Sequence, residues 1–248
     1  MAILREHIGY YREFFALPEF LQDPVLTFGF QDVFVAPNYY RTRGEFHGFD
    51  KLRWLKRFLT EKAGVATRRR HPDLTVPKSF QAPDLGGILR NLGLRDITTL
   101  DCFDPRADLR NDMNLPVGKE LHGRFGTVID IGSLEHVFDT RQCLENLVSM
   151  VRVGGHLFLH TPCRGCFNHG LHTLSPECVL QALEINGFDI RLVRFSKPGG
   201  APLARPEDAD DVILWTAARR RSIPDTFQIP QQGRWKPAYE GTIQWTWR

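Results

Sequence analysis

FGTVIDIGSLEHVFD, at residues 125–139, and RVGGHLFLHTP, at residues 152–162, are the two stretches that decide the fold. The first contains a short apolar run, residues 127–131, which is closed by Gly132. The second contains a similar run at residues 156–160. Runs of this length that are bounded by turn residues are typical of buried strands.

The segment between these two strands has a different period. Its apolar residues recur at helical spacing up to Val151, with Asp139 or Thr140 available to cap the start and Gly154 and Gly155 to end it. Strand, helix and strand in this order predict two parallel strands joined by a crossover helix.

The same alternation continues on both sides. Further strands are predicted at residues 25–28, 97–100, 188–195 and 211–217, with a continuation or a second short strand at 33–35. Helices are predicted at residues 52–59, 84–92 and 176–186, with a loop at 64–82. Together they predict one α/β domain, residues 1–221, with a Rossmann-like doubly wound and mostly parallel sheet and an N-terminal helical lead-in. The proline- and tryptophan-containing remainder, residues 222–248, is predicted to be an irregular C-terminal extension that packs on this domain.

Composition excludes several classes of protein. Of 248 residues, 42% are hydrophobic and 25% charged, which is average for globular proteins and excludes a disordered tail or a coiled coil. No apolar run reaches a membrane-spanning length and no signal peptide is recognisable, so we expect a cytoplasmic protein without a membrane partner. A net charge of +3 is far below that of a dedicated nucleic-acid binder. The five cysteines are expected to be reduced.

The LEHV turn after the residue 127–131 strand, and the RVGG turn that leads into the next strand, carry a family resemblance. This part of the chain resembles the second half of class I S-adenosylmethionine-dependent methyltransferases, where a Lys-Pro-Gly-Gly turn usually stands in place of RVGG. The resemblance extends over residues 25–217 and is strongest at residues 100–162. It implies a class I methyltransferase type of fold and S-adenosyl-L-methionine as the cofactor.

Two acidic positions match the family's adenosine contacts. Asp101 ends the second strand, where the family carries the acid that binds the ribose hydroxyls, and Asp104 is a nearby substitute. Asp112 and Met113 match the acid-plus-apolar pair that contacts adenine. The alternatives are an ordinary strand-end aspartate and a simple turn at residues 111–116.

The family's glycine-rich loop after the first strand is reduced here to a single glycine. Gly29 would allow a close approach of the cofactor, and Gln31 or Asp32 would bind its amino acid moiety. Asp130 and Gly132 imitate the start of the usual motif but come later in the strand order. They are nevertheless included, with Glu135, in the predicted cofactor-binding set; Glu135 is alternatively predicted to shape the acceptor pocket.

Histidine suits the role of general base, because its pKa lies near neutrality. The resemblance places His136, His160 and His169 beside the crevice, and these three are the predicted catalytic residues. For each of them, a structural role is the alternative.

A second interpretation exists for the loop at residues 163–172. Cys163, Cys166, His169 and His172 are residue types that bind zinc, but their spacing within ten residues is unlike that of known sites. Unpaired thiols and histidines are therefore the preferred interpretation, and no metal site is predicted.

These observations predict a methyltransferase that acts on a small-molecule or glycan-type acceptor, at oxygen or nitrogen. A non-catalytic methyltransferase-like binding module is the alternative that the reduced loop suggests. A nicotinamide-dependent enzyme is disfavoured, because no Gly-x-Gly-x-x-Gly motif opens a helix.

Overall fold

The computed structural model describes residues 2–34 and 76–231. The predicted helix at residues 52–59 and the tryptophans of the C-terminal extension lie outside these residues. Nine strands are present in the described part of the chain: β1 (Ala2–Leu4), β2 (Val25–Phe28), β3 (Asp32–Phe34), β4 (Ile97–Leu100), β5 (Phe125–Ile131), β6 (Val151–Arg164), β7 (Phe188–Ser196), β8 (Pro202–Leu203) and β9 (Val212–Arg220). The α-helices there are α1 (Ile8–Phe15), α2 (Leu85–Asn91), α3 (Thr140–Met150) and α4 (Pro176–Ile185).

Seven strands form one twisted sheet in the order β4-β2-β5-β6-β9-β7-β8. Strands β4, β2, β5 and β6 are mutually parallel, whereas β9 is inserted antiparallel between β6 and β7. This mostly parallel Rossmann-like sheet with flanking helices confirms the predicted fold class. The chain moves from β2 outward to β4 and then crosses back to β5 on the other side of β2. The carboxyl ends of these three strands therefore border the crevice where α/β sheets usually bind ligands.

Helices cover both faces of the sheet. Apolar side chains of α3 and α4 pack on one face and those of α1 and α2 on the other, so the molecule has three layers. The α1 face is rich in aromatic rings that contact one another edge-on or stacked. We call this group the aromatic layer; it consists of His7, Tyr11, Phe14, Phe15, Phe20, Phe158, His160 and Trp215.

Two predicted boundaries are wrong. The helix ends at Met150, and the strand that was predicted to begin at residue 156 and stop before Pro162 runs over Val151–Arg164. The reason is pairing: Val151 lies opposite Phe125 of β5, and a register shift follows before the regular ladder resumes. Helical spacing of the apolar residues did not reveal this, because Val151 is buried in either conformation.

The N-terminal lead-in contains α1, as predicted, and a short strand. β1 pairs with β3 in a separate two-stranded parallel sheet, so β3 is a second short strand and does not continue β2. Near the other end, Gln228 exchanges hydrogen bonds with Asn186, which attaches the described beginning of the extension to the end of α4. None of the described helices is long and apolar enough to cross a membrane.

Candidate functional site

Gly29 marks the carboxyl end of β2 and the inner wall of the crevice. Its φ is +80°, a left-handed conformation that favours glycine, and its N–H bonds to the Leu100 carbonyl at the end of β4. A Cβ here would overlap Ser133 Oγ, whose hydroxyl donates to the Phe28 carbonyl at 2.9 Å. A close approach of the cofactor was predicted at Gly29, but the group that packs against Gly29 is Ser133, in the turn after β5.

Asp101 connects the ends of β2 and β4. Its Oδ1 accepts hydrogen bonds from the N–H groups of Phe103 and Asp104, and its Oδ2 accepts one from Phe30 at 2.9 Å. Partial burial raises the pKa of this carboxyl, but the three backbone bonds outweigh that effect and lower the pKa. A carboxylate has about four acceptor positions, so one remains for a hydroxyl of a ligand.

Arg106 lies across the same corner, and sequence reasoning missed it. Its guanidinium pairs with Asp32 at 3.0 Å and with Asp104, and it lies 3.8 Å above the centre of the Phe30 ring. The two loops after β2 and β4 are thereby joined. The sequence offered only one hint, an arginine two residues after Asp104.

The other two residues predicted from the first loop are already engaged. Gln31 is buried, its carbonyl accepts from the N–H of Leu85 in α2, and its side-chain Oε1 has no hydrogen-bond partner. Asp32 pairs with Arg106 as described. A ligand could therefore reach these groups only if the loop rearranged.

Asp130 and Gly132 form the turn after β5. The Asp130 carboxylate is fully buried and accepts from the N–H groups of Ser133 at 2.8 Å and Leu134 at 3.3 Å. Burial and the neighbouring negative charge of Glu135 raise the pKa of Asp130 well above its usual range. Gly132 has a φ of +70° and is buried. Both residues position the LEHV turn.

Asp112 and Met113 belong to a turn that α3 holds in place. Asn146 donates to the carbonyls of Met113 and Leu115 and accepts from the N–H of Val117. Met113 is buried, whereas Asp112 is exposed, with bonds from Asn114 that lower its pKa. Of this predicted pair, Asp112 presents its side chain at the surface, whereas Met113 packs in the core.

Glu135, His136 and His169 come together in the loops that follow the carboxyl ends of β5 and β6. Glu135 is fully buried; its Oε2 accepts from Thr161 Oγ1 at 3.1 Å, and its Oε1 lies 3.4 Å from His169 Nε2. The His136 and His169 rings are exposed and have centroids 5.4 Å apart. The contact with Glu135 raises the pKa of His169. We call these three residues the Glu–His cluster.

The loop after β6 packs closely against Glu135. The Glu135 carbonyl accepts from the N–H groups of Leu171 and His172, and a Cβ on Gly170 would come within 2.9 Å of the Glu135 Cγ. Cys166 and Asn168 have positive φ values of 54° and 62°. This backbone path is what brings His169 to Glu135.

His160, the third predicted catalytic histidine, lies elsewhere. Its side chain points to the face of the sheet that α1 covers, where it stacks 4.0 Å from the Trp215 ring and its Nδ1 lies 3.3 Å from the Tyr11 hydroxyl. Burial lowers its pKa well below the usual value. These contacts make His160 a packing residue of the aromatic layer.

The Cys and His residues of the 163–172 loop are not gathered into one metal site. All five cysteines are free, and burial raises the pKa of Cys163 to about 12 and also raises that of Cys166. His172 Nε2 lies 3.0 Å from the Phe138 carbonyl. His169 contacts Glu135, so both histidines have partners away from the two cysteines.

No family model and no curated protein matches the chain. Among solved structures, it resembles an S-adenosylmethionine-dependent methyltransferase from Mesorhizobium loti, with 19% identity, a TM-score of 0.35, and coverage of 50% of this chain and 80% of that one. It also resembles a geranyl diphosphate methyltransferase in complex with S-adenosylmethionine, with 14% identity, a TM-score of 0.40, and coverage of 54% of this chain and 73% of that one. A third similar structure is the [4+2]-cyclase SpnF, with 14% identity, a TM-score of 0.38, and coverage of 54% of this chain and 70% of that one. The similarity covers about half of the chain, and at these scores we infer no activity from it. Two of these three solved structures are described as methyltransferases and the third as a cyclase.

Proposed function

We propose that this chain is an S-adenosylmethionine-dependent methyltransferase that modifies a hydroxyl or amine of a small-molecule or glycan acceptor. The observation that carries the proposal is Asp101, a carboxylate held rigidly at the carboxyl end of β4 with one acceptor position left. It faces the loop after β2, as the family resemblance requires of the ribose-binding acid.

The crevice fits the adenosine half of the cofactor. Asp101 would accept a ribose hydroxyl, and Asp112 with Met113 would contact adenine. The cofactor, when bound, supplies an electrophilic methyl group, so the protein's own task is to orient the acceptor and exclude water. His136 and His169 stand on the acceptor side, where either can take a proton from the incoming nucleophile.

Exposed apolar side chains lie in the loops that follow the carboxyl ends of β4, β5 and β6. The loops around the crevice expose Phe103, Leu115, Phe138, Phe167 and Leu171. Apolar surface of this kind marks ligand-binding grooves, and flat rings suit an acceptor with an apolar face, such as a sugar or a small aromatic molecule.

A non-catalytic binding module is the second candidate, and the Arg106 bridge favours it. Asp32 and Gln31, the predicted ligands of the amino acid moiety, are engaged by Arg106 or buried. In this alternative the crevice retains the adenosine half of the site only.

Calorimetric titration with S-adenosylhomocysteine tests the proposal. We expect micromolar-range binding that Asp101→Asn weakens by at least about tenfold, since one charged hydrogen bond to a ligand contributes about 1.5 to 3 kcal/mol. Asp189→Asn is the matched control: Asp189 is a surface acid at the start of β7, paired with Arg221. Absence of binding to the wild-type chain at millimolar ligand would overturn the methyltransferase proposal.

A further inference from the structure

The Glu–His cluster has the donor set of a metal site. One carboxylate oxygen of Glu135 and one ring nitrogen each of His136 and His169 lie within 4.8 Å of one another. Two imidazoles and one carboxylate are ligands that zinc and other divalent first-row transition ions share, and three protein ligands leave coordination positions open. Within the part of the chain that the structure describes, one group of three or more histidine, cysteine, aspartate or glutamate side chains has its donor atoms within 4.8 Å of one another, and it is the Glu–His cluster.

Glu135 supplies a second, independent observation. Its side chain is only 1% exposed, and no contact of Oε1 has the geometry of a hydrogen bond; Oε1 instead forms the 3.4 Å ion pair with His169 Nε2. A buried acceptor without a partner is costly, and a buried negative charge more so. This oxygen is directed toward the two histidines.

The local charge balance points the same way. Glu135 and Asp130 are two fully buried carboxyl side chains only five residues apart along the chain. The ion pair that the structure gives Glu135 is the one with His169, whose ring is 53% exposed. A divalent cation beside Glu135 would supply the missing compensation.

We propose that Glu135, His136 and His169 bind one divalent transition-metal ion, for which zinc is the best match, and that its open positions take an oxygen or nitrogen atom of the acceptor. The second half of this statement rests on the proposed function, whereas the ion binding does not. An ion here would hold the acceptor atom at the crevice and would replace the two histidines as the activating group, because a ring nitrogen that is bound to the ion cannot accept a proton.

Only small movements are required. Ligand atoms on a tetrahedral zinc ion lie about 3.4 Å apart when each bond is about 2.1 Å long. Glu135 Oε1 and His169 Nε2 already have this separation, and a donor atom that starts up to 4.8 Å away would move inward by at most about 1.5 Å, which side-chain rotation permits. Glu135 needs no movement, because Thr161 and the loop after β6 already fix it.

Calorimetric titration of zinc into the full chain, first freed of metal with a chelator, tests the ion site. We expect one ion per chain, with at least tenfold weaker binding in His169→Ala and His136→Ala. The controls are His172→Ala, in the same loop but bonded to the Phe138 carbonyl, and His122→Ala, an exposed histidine after a separate helical turn; both should bind as the wild type does.

Cobalt provides a spectroscopic measurement that does not depend on activity. We expect a visible absorption band with the wild-type chain that is lost in Glu135→Gln and in His169→Ala. Because Glu135 is buried, its variant is examined by circular dichroism, while the exposed His169 keeps the test valid if Glu135→Gln does not fold. Wild-type zinc affinity in His169→Ala, or no binding to the wild type, would overturn the site.

A parallel titration with S-adenosylhomocysteine separates the two proposals. Zinc binding without S-adenosylhomocysteine binding overturns the proposed function and supports the ion site. The reverse result overturns the ion site and supports the function.

Discussion

The aromatic layer and the Glu–His cluster both contain histidines, but the histidine pKa shifts in opposite directions in the two regions. In the aromatic layer, burial lowers the pKa of His7 and His160, and their rings pack against Trp215. In the cluster, Glu135 raises the pKa of the exposed His169. His160 and Thr161 are neighbours in β6, yet only Thr161 contacts Glu135. The face of the strand, more than the position along the chain, decides which histidine can do chemistry.

The largest expected effect tests the packing role of the aromatic layer. Trp215 is fully buried, stacks on His160 and Tyr10, and donates from Nε1 to Ser196 Oγ at 2.9 Å. We expect Trp215→Ala to lower the free energy of unfolding by about 3 to 5 kcal/mol in urea titrations. Phe138→Ala, which removes a ring that is 76% exposed beside the cluster, should change it by less than about 0.5 kcal/mol. Equal losses would mean that the two regions do not differ in packing.

A smaller effect is expected where the loop after β6 meets Glu135. Gly170→Ala places a Cβ within 2.9 Å of Glu135 Cγ and its carbonyl oxygen, so the loop must shift. We expect a loss of about 1 to 2 kcal/mol in unfolding free energy, together with weaker zinc binding. Gly9→Ala in α1, where a Cβ meets nothing within 4 Å, should be neutral or stabilising by about 0.5 kcal/mol. An unaffected zinc affinity in Gly170→Ala would show that the loop does not position His169.

The smallest expected effect concerns pH. His156 is buried next to Phe20, and burial lowers its pKa from 6.5 to about 4. Well above pH 6.5 the ring is neutral in both the folded and the unfolded chain, so it does not make the free energy of unfolding depend on pH. As the pH falls from 6.5 to 4, only the unfolded chain takes up the proton, so stability is lost over this window.

We expect His156→Gln to remove this part of the acid sensitivity, about 0.7 kcal/mol between pH 7 and pH 6. Urea unfolding at the two pH values measures it, and His122→Gln, an exposed position, is the control. A variant with the same pH dependence as the wild type would contradict the assignment of His156 as a buried neutral ring.

Much of the framework could be predicted from the sequence. Short apolar runs located β2 and β5, because strands buried on both faces carry a continuous signal. The edge strand β4, half-buried over its first three residues, was located by its β-branched residues. Helix α2 and its cap at Asp84 were also predictable, since an N-cap side chain acts within three residues; its oxygen accepts from the Gly87 N–H.

The site was less predictable, because it depends on contacts between distant segments. His160 and His136 both follow apolar runs, and a run that is apolar throughout does not indicate which way its last residue points. Arg106 and Asp32 are 74 residues apart, and no local pattern links them. The Glu135–His169 contact depends on two left-handed residues, Cys166 and Asn168, neither of which is a glycine.

The close packing of Gly170 on Glu135 has a consequence for how this protein can diversify. The backbone at Gly170 packs against Glu135 and leaves no room for a side chain there, whereas the side chains of Phe167, Asn168 and Leu171 beside it are exposed. Exchanges at Phe167 and Leu171 alter what an incoming molecule meets with little effect on the fold, whereas Asn168, at a φ of 62°, favours asparagine or glycine. Selection, or a directed library, can therefore vary the surface beside the Glu–His cluster one residue at a time while Gly170 is kept constant.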